Sequence, residues 1–85
     1  MSVPRIASVN TLENLCLLVV FENGIERKYD IKKLFDKFPA FKKLQDVAVF
    51  TNVKVEVGGI AIIWNEELDL SRYEIWENGE EQSLL

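Results

Sequence analysis

The stretch that decides the fold reads Leu15-Cys-Leu-Leu-Val-Val-Phe-Glu22, then Asn23-Gly24, then Ile25-Glu-Arg-Lys-Tyr29. Asn-Gly between two strand-forming runs is the strongest short-range signal of a β-hairpin, because a type I′ turn needs positive φ at both central residues. A two-residue turn would place Leu18 opposite Tyr29 on one face of the hairpin. The other face would then pair three apolar residues with three charged ones: Leu17 with Asp30, Val19 with Lys28, and Phe21 with Glu26.

The first strand of this hairpin is apolar on both faces, which is typical of a strand at the centre of a sheet. Its residues Leu17, Val19 and Phe21 would lie opposite charged residues, so they need a cover. The cover is either another element of this chain or another molecule. These three residues are therefore the first predicted partner surface.

A second hairpin is predicted from Val53-Lys-Val-Glu-Val57, the turn Gly58-Gly59, and Ile60-Ala-Ile-Ile-Trp64. A two-residue turn would pair Val57 with Ile60, Val55 with Ile62, and Val53 with Trp64. All six paired apolar residues then share the core face: Val53, Val55, Val57, Ile60, Ile62 and Trp64.

Helical patterns follow each hairpin. Asp30 is predicted to be the N-cap of a helical segment whose apolar residues recur at helical spacing up to a break before Pro39. A second short helical turn, with Pro39 in its first position, would carry Phe41 and Leu44 inward. In residues 70–79, Ser71 and Glu74 form a capping box, Leu70 and Ile75 a hydrophobic staple, and Gly79 a left-handed stop.

These elements predict an α+β domain. It has one antiparallel sheet of about five strands built from two β-hairpins, a helical segment between them and a short C-terminal helix. We expect residues 1–79 to form the single domain, with an edge strand within residues 1–10, and residues 80–85 to be a frayed tail.

Composition limits the compartment and the chemistry. The single cysteine, Cys16, excludes an internal disulfide, and the longest apolar run has seven residues where a membrane helix needs roughly 18. We therefore expect a cytoplasmic protein with no membrane partner. The net charge is −4, but residues 25–54 carry +4 and residues 66–85 carry −6. The negative total argues against a dedicated nucleic-acid binder.

The residue types indicate that the protein is not an enzyme. The chain has no histidine, so no Ser-His or Cys-His pair can form within it. Cys16 opens an apolar strand and is interpreted as a core residue. Gly58-Gly59 lacks the lysine and helix of a phosphate loop, and we expect no cofactor. Glu66, Glu67, Asp69 and Glu74 could form a weak cation site, but their spacing matches no calcium loop. We interpret them as a solvated acidic face and assign no metal ligand.

Two surfaces remain for a partner. The first is aromatic: Tyr73 and Trp76 lie on one side of the C-terminal helix and join Leu17, Val19 and Phe21 as predicted partner residues. The second, here called the basic surface, lies opposite the apolar stripe of the helical segment and could bind nucleic acid, although an amphipathic helix needs no such function. It comprises Lys32, Lys33, Lys37, Lys42 and Lys43.

Several of these residues together resemble the bacterial and archaeal domain of unknown function 2442 family. The shared features are Phe21-Glu-Asn-Gly24, Tyr29-Asp30, a helix around Leu34, Phe50, and the segment from Ile62 to Leu70. The resemblance runs from about residue 6 to residue 79 and departs after Trp64, where Asn65-Glu66-Glu67 replaces a Pro-Asn-Gly-like turn. It implies no established catalytic activity. Relatives fused to helix-turn-helix domains, or resembling one half of a toxin–antitoxin pair, imply an interaction or regulatory role.

The resulting hypothesis is a non-enzymatic protein-interaction or regulatory domain, as the antitoxin-like half of a two-gene module. Its partner would be another small protein or a second copy of this chain. The alternative is a nucleic-acid-associated regulator that uses the basic surface.

Overall fold

A computed structural model describes residues 2–82, and within this range seven strands form two antiparallel sheets. The order is β1-β2-β3-β7 in the first sheet and β4-β5-β6 in the second. The α+β class is confirmed, but the strands divide between two sheets instead of forming one of about five. Their bounds are β1 Ile6–Thr11, β2 Cys16–Phe21, β3 Glu26–Asp30, β4 Lys54–Val55, β5 Ala61–Asn65, β6 Leu68–Ser71 and β7 Glu80–Glu81.

The helices are all short. Helix α1 covers Val47–Phe50 and was not predicted, and α2 covers Arg72–Asn78. Four 3-10 helices span Glu13–Leu15, Ile31–Leu34, Pro39–Gln45 and Val57–Gly59. None of the helices in residues 2–82 has the length and apolar character needed to cross a membrane.

The loop between β2 and β3 has three residues, so the predicted register was wrong by one position. The Phe21 amide donates to the Ile25 carbonyl at 2.9 Å, and the loop closes through Gly24, whose φ is +87°. Leu17 therefore lies opposite Tyr29 rather than opposite Asp30. A one-residue slip of this kind exchanges the faces on which cross-strand partners meet.

This register places the inward face of β2 in the core. Leu17, Val19 and Phe21 are at most 1% exposed, and Tyr29 is completely buried beside them. The chain itself supplies their cover, so the prediction that these three residues form an accessible partner surface was wrong. The physical reason is that the correct register gives them an aromatic neighbour instead of a row of charges.

The helical segment agrees with its prediction. The Asp30 carboxylate caps it by accepting from the Lys32 amide at 2.9 Å, and a new 3-10 helix begins at Pro39. Phe41 and Leu44 are buried as expected. Hydrogen bonds from the side chain and the backbone amide of Lys32, with the charges of Lys32 and Lys33, outweigh partial burial and lower the pKa of Asp30.

The second hairpin has the predicted register but a wider turn. Val55 pairs with Ile62, and the Glu56 amide donates to the Ala61 carbonyl at 2.9 Å. The loop therefore includes Val57 and Ile60, which are 93% and 51% exposed. Their assignment to the core face was wrong, because the turn lifts both of them off the sheet.

The C-terminal segment joins the first sheet. Ser71 caps α2 by accepting from the Glu74 amide at 3.2 Å. The predicted fraying from residue 80 was wrong, because Glu80 and Glu81 form β7 opposite Lys28 and Arg27. Residues 83–85 of the predicted tail lie outside the described residues. In this register acidic residues of β7 lie opposite basic residues of β3, an arrangement that favours pairing of the two strands.

A left-handed backbone was predicted for Gly79 at the end of α2, and this prediction was wrong. Glycine is required there because neighbouring atoms approach its Cα closely. Its φ is −77°. A Cβ atom at this position would lie 2.6 Å from the Ile75 carbonyl oxygen and 3.0 Å from the Arg27 Cβ. Glycine is needed here because the chain passes directly over the end of α2 and the side of β3.

A hydrogen bond connects β3 to α2 through the core. The Tyr29 hydroxyl donates to Glu74 Oε2 at 2.7 Å, and the Asn78 side-chain amide donates to the same oxygen at 2.9 Å. Glu74 is thus occupied by Tyr29 and does not complete the predicted capping box. Burial, followed by the hydrogen bond and negative charge of Glu74, raises the pKa of Tyr29 far above its ordinary value.

Replacement of Gly79 by alanine is expected to lower the free energy of unfolding by about 1–3 kcal/mol, the usual cost of overpacking. Urea denaturation measures it, and amide hydrogen exchange should show faster exchange across β7. Gly24→Ala is the matched control: the added methyl group enters open space, so the loss is roughly 1 kcal/mol from the left-handed backbone alone and β7 stays protected. Unchanged exchange in β7 of the Gly79 variant would contradict this account.

Replacement of Tyr29 by phenylalanine is expected to cost about 2 kcal/mol, since it removes a donor from a carboxylate. The phenol also makes stability depend on alkaline pH. Its folded pKa lies above the unfolded value near 10, so its contribution is complete below pH ~10 and falls by about 1.4 kcal/mol per pH unit above it. The phenylalanine variant should lose this extra slope, whereas the half-exposed Tyr73→Phe should retain it. Equal slopes for the wild type and the Tyr29 variant would refute the assignment.

Candidate functional site

A groove runs between the helical segment Ile31–Gln45 on one side and β6 with α2 on the other. It consists of two adjoining depressions of about 350 and 250 Å³. Leu34, Phe38 and Glu74 line both of them, so they form one continuous feature, called here the Phe38 groove. Tyr29, Lys33, Lys37 and Asn78 complete the larger depression, and Phe41, Asp69, Leu70 and Ser71 complete the smaller one.

The floor and rim of the smaller depression differ in exposure. Leu34, Phe41 and Leu70 are buried, whereas the Phe38 side chain is 54% exposed. The Phe38 ring meets Phe41 edge-on with a centroid distance of 6.3 Å, and Phe41 meets Trp64 in the same way at 6.1 Å. The exposed Phe38 ring is therefore the outermost member of a series of edge-to-face aromatic contacts that reaches the core at Trp64.

Opposite charges border the groove. Lys37 lies on the helical side and Asp69 on the β6 side, and both are exposed. Neither forms a salt bridge with any residue in the described range. Lys33, by contrast, is engaged: its ammonium group donates to the Asn78 carbonyl and lies 4.2 Å from the centre of the Tyr29 ring.

The basic surface is only partly available to a polyanion. Lys32 pairs with Asp30 at 3.0 Å, Lys43 pairs with Glu67 at 3.0 Å, and Lys33 is held as described above. Lys37 and Lys42 remain without an ion pair in the part of the chain that the structure describes. Three of the five lysines of the basic surface thus contact acidic or carbonyl groups of the same molecule.

The acidic residues near the start of α2 do not converge. Glu67 faces Lys43 and Glu74 faces Tyr29. Over residues 2–82, no group of three or more carboxylate or thiol side chains is placed to hold a metal ion. Cys16 is buried at the start of β2, and its thiol lies 3.7 Å from the Asn14 carbonyl oxygen.

The predicted aromatic residues are placed separately. Trp64 is buried and donates to the Phe50 carbonyl at 3.1 Å. Trp76 is half-buried, edge-on to Phe21 at 5.0 Å and beneath the Arg27 guanidinium at 4.4 Å. Tyr73 is 54% exposed but does not line the groove. Tyr73 and Trp76 therefore do not form one surface with the buried residues of β2.

Sequence reasoning missed Phe38 as a surface residue, because its helical spacing assigned it to the core. The available signal was Pro39. A residue before proline is displaced from helical geometry, and Phe38 has φ −135° and ψ 82°, which takes its side chain off the buried stripe.

Neither a curated protein nor a solved structure is significantly similar to the chain. Residues 6–81 match the family described as Protein of unknown function (DUF2442). This range covers both sheets, both helices and the whole Phe38 groove. The chain therefore belongs to the DUF2442 family.

Proposed function

We propose that this domain is a non-enzymatic interaction module that binds a segment of another protein in the Phe38 groove. The observation that carries the proposal is the 54% exposure of Phe38 above the buried floor of Leu34, Phe41 and Leu70. Aromatic side chains beside an apolar pocket contribute much of the energy of protein interfaces. The unpaired charges of Lys37 and Asp69 at the rim would orient the partner and exclude others.

The groove is favoured over another depression of the surface that has an apolar rim. A depression of about 360 Å³ near the turn Glu13–Leu15 has an apolar rim formed by Leu12 and Val47. It lacks an exposed aromatic ring and the pair of opposite charges. The nucleic-acid alternative is weaker, since three of the five lysines of the basic surface are engaged within the protein.

The expected biological setting follows from the resemblance to relatives that look like halves of two-gene modules. We expect a cytoplasmic regulatory or antitoxin-like protein whose partner is a second small protein encoded alongside. Binding would act by occupying the partner's segment and not by chemistry. The chain has no histidine base, and residues 2–82 offer no converging set of metal ligands.

Phe38→Ser is expected to weaken binding of the partner at least tenfold, the loss typical of an interface hot spot. The tagged domain is used to capture its partner from native cytosol, and the purified pair is then measured by calorimetry. Tyr73→Ser is the matched control, because Tyr73 is an aromatic residue with the same 54% exposure outside the groove, and it should change affinity less than threefold.

Thermal melts of both variants establish that the comparison is made between folded proteins. If Phe38→Ser retains wild-type affinity, the groove is not the binding site. If only nucleic acid is captured and its binding falls steeply with added salt, the basic surface is the functional one.

A further inference from the structure

The outer edge of β6 is open to a further strand. Strand β6 pairs with β5, and no other strand in residues 2–82 pairs with it. Exposed strand edges present unpaired backbone groups that can accept another chain. The smaller depression of the Phe38 groove lies directly along this edge, since Asp69, Leu70 and Ser71 line it.

The register shows which backbone groups of β6 point outward. The Arg72 amide donates to the Ile60 carbonyl at 3.0 Å, and Ile62 pairs with Leu70 in the same register. Hydrogen-bonded and non-hydrogen-bonded pairs alternate along an antiparallel ladder. Leu70 therefore bonds to β5, whereas the backbone groups of Asp69 and Ser71 face away from it.

These outward groups are unoccupied by the rest of the domain. Among the described residues, none bonds to the Asp69 amide, the Asp69 carbonyl or the Ser71 amide. Asp69 and Ser71 are both exposed. An added antiparallel strand forms hydrogen bonds with every second residue of the edge strand, and Asp69 and Ser71 have this spacing.

The side chains on either side of this edge define what the added strand would carry. Residues directly opposite each other in a ladder share a face of the sheet. A side chain opposite Leu70 would point toward the depression floored by Leu34 and Phe41, which favours an apolar residue. A side chain opposite Asp69 would meet an exposed carboxylate without an ion pair, which favours a basic residue.

We propose that the Phe38 groove takes an extended segment of the partner, which adds to the three-stranded sheet along β6. Its central apolar side chain lies opposite Leu70, and a basic side chain next to it lies opposite Asp69. This inference rests on the proposed function and specifies the form and chemistry of the bound segment. The net charge of −4 would steer such a basic segment to the domain.

The test is an NMR titration of the ¹⁵N-labelled domain with the capped peptide Thr-Ile-Thr-Ile-Arg-Thr. In an antiparallel ladder with β6, its arginine lies opposite Asp69 and the isoleucine before the arginine lies opposite Leu70. The amide signals of Asp69 and Ser71 should show the largest shifts, and their hydrogen exchange should slow by at least tenfold at saturation. The same peptide N-methylated at arginine cannot donate to the Asp69 carbonyl and should bind at least tenfold more weakly. Serine in place of the isoleucine opposite Leu70 should weaken binding similarly, by emptying the apolar depression.

Charge variants of the protein test the second half of the proposal. Asp69→Asn should weaken the peptide about two- to fivefold, the range of a cross-strand ion pair. Glu66→Gln is the matched control, because it removes an exposed carboxylate from the adjacent loop, and it should leave affinity unchanged.

Three outcomes would overturn the inference. The first is the absence of shifts at Asp69 and Ser71 at millimolar peptide, and the second is tighter binding of a helical peptide of equal length and charge. The third is self-association of the domain through the same two amides, which would make a second copy the occupant. If Phe38→Ser abolishes binding of the natural partner while these amides stay unperturbed in the complex, the proposed function stands and strand addition fails.

Discussion

The left-handed backbone of Gly24 sets the arrangement on which the rest of the domain depends. With φ at +87°, it closes a three-residue loop that places Tyr29 opposite Leu17. Tyr29 thereby enters the core, and its hydroxyl reaches Glu74 of α2 at 2.7 Å. A two-residue loop would turn Tyr29 to the opposite face of the sheet. The hydrogen bond would then be lost, together with the aromatic cover of β2.

This register also determines where the acidic C-terminal residues lie relative to the basic residues of β3. Because Tyr29 positions α2 beside β3, the chain can return past Gly79 and pair its acidic end with Arg27 and Lys28 of β3. The acidic end of the sequence thus lies beside basic residues of β3, and Glu67 forms a salt bridge with Lys43. At the rim of the groove, Lys37 and Asp69 remain without an ion pair. These two opposite charges, one on each side of the groove, are the charges that a bound segment would meet.

Much of this architecture could be predicted from local sequence. Asn23-Gly24 and Gly58-Gly59 identified both hairpins, Asp30 and Ser71 identified the helix starts, and Pro39 identified the break, because each acts through its own backbone or side chain. The first register could not be derived, since Asn-Gly suits a two-residue turn and glycine equally suits the last position of a three-residue loop. The role of Glu74 was missed for a related reason. A local capping partner was available in sequence, whereas Tyr29 lies forty-five positions away.

The groove arises where a helix is interrupted. Sequence patterns therefore did not predict it, and assigned its residues to the buried helical stripe, the basic surface and the acidic face instead. Leu34 and Phe38 have the spacing of a single buried stripe, but Pro39 stops the helical backbone between them and Phe41. Leu34 and Phe41 stay buried while Phe38 is displaced outward. In the smaller depression this apolar floor lies beside the unpaired edge of β6. A continuous helix would bury Phe38 and remove the ring that overhangs this edge. The residue that ends the helix therefore creates the surface on which we place the function.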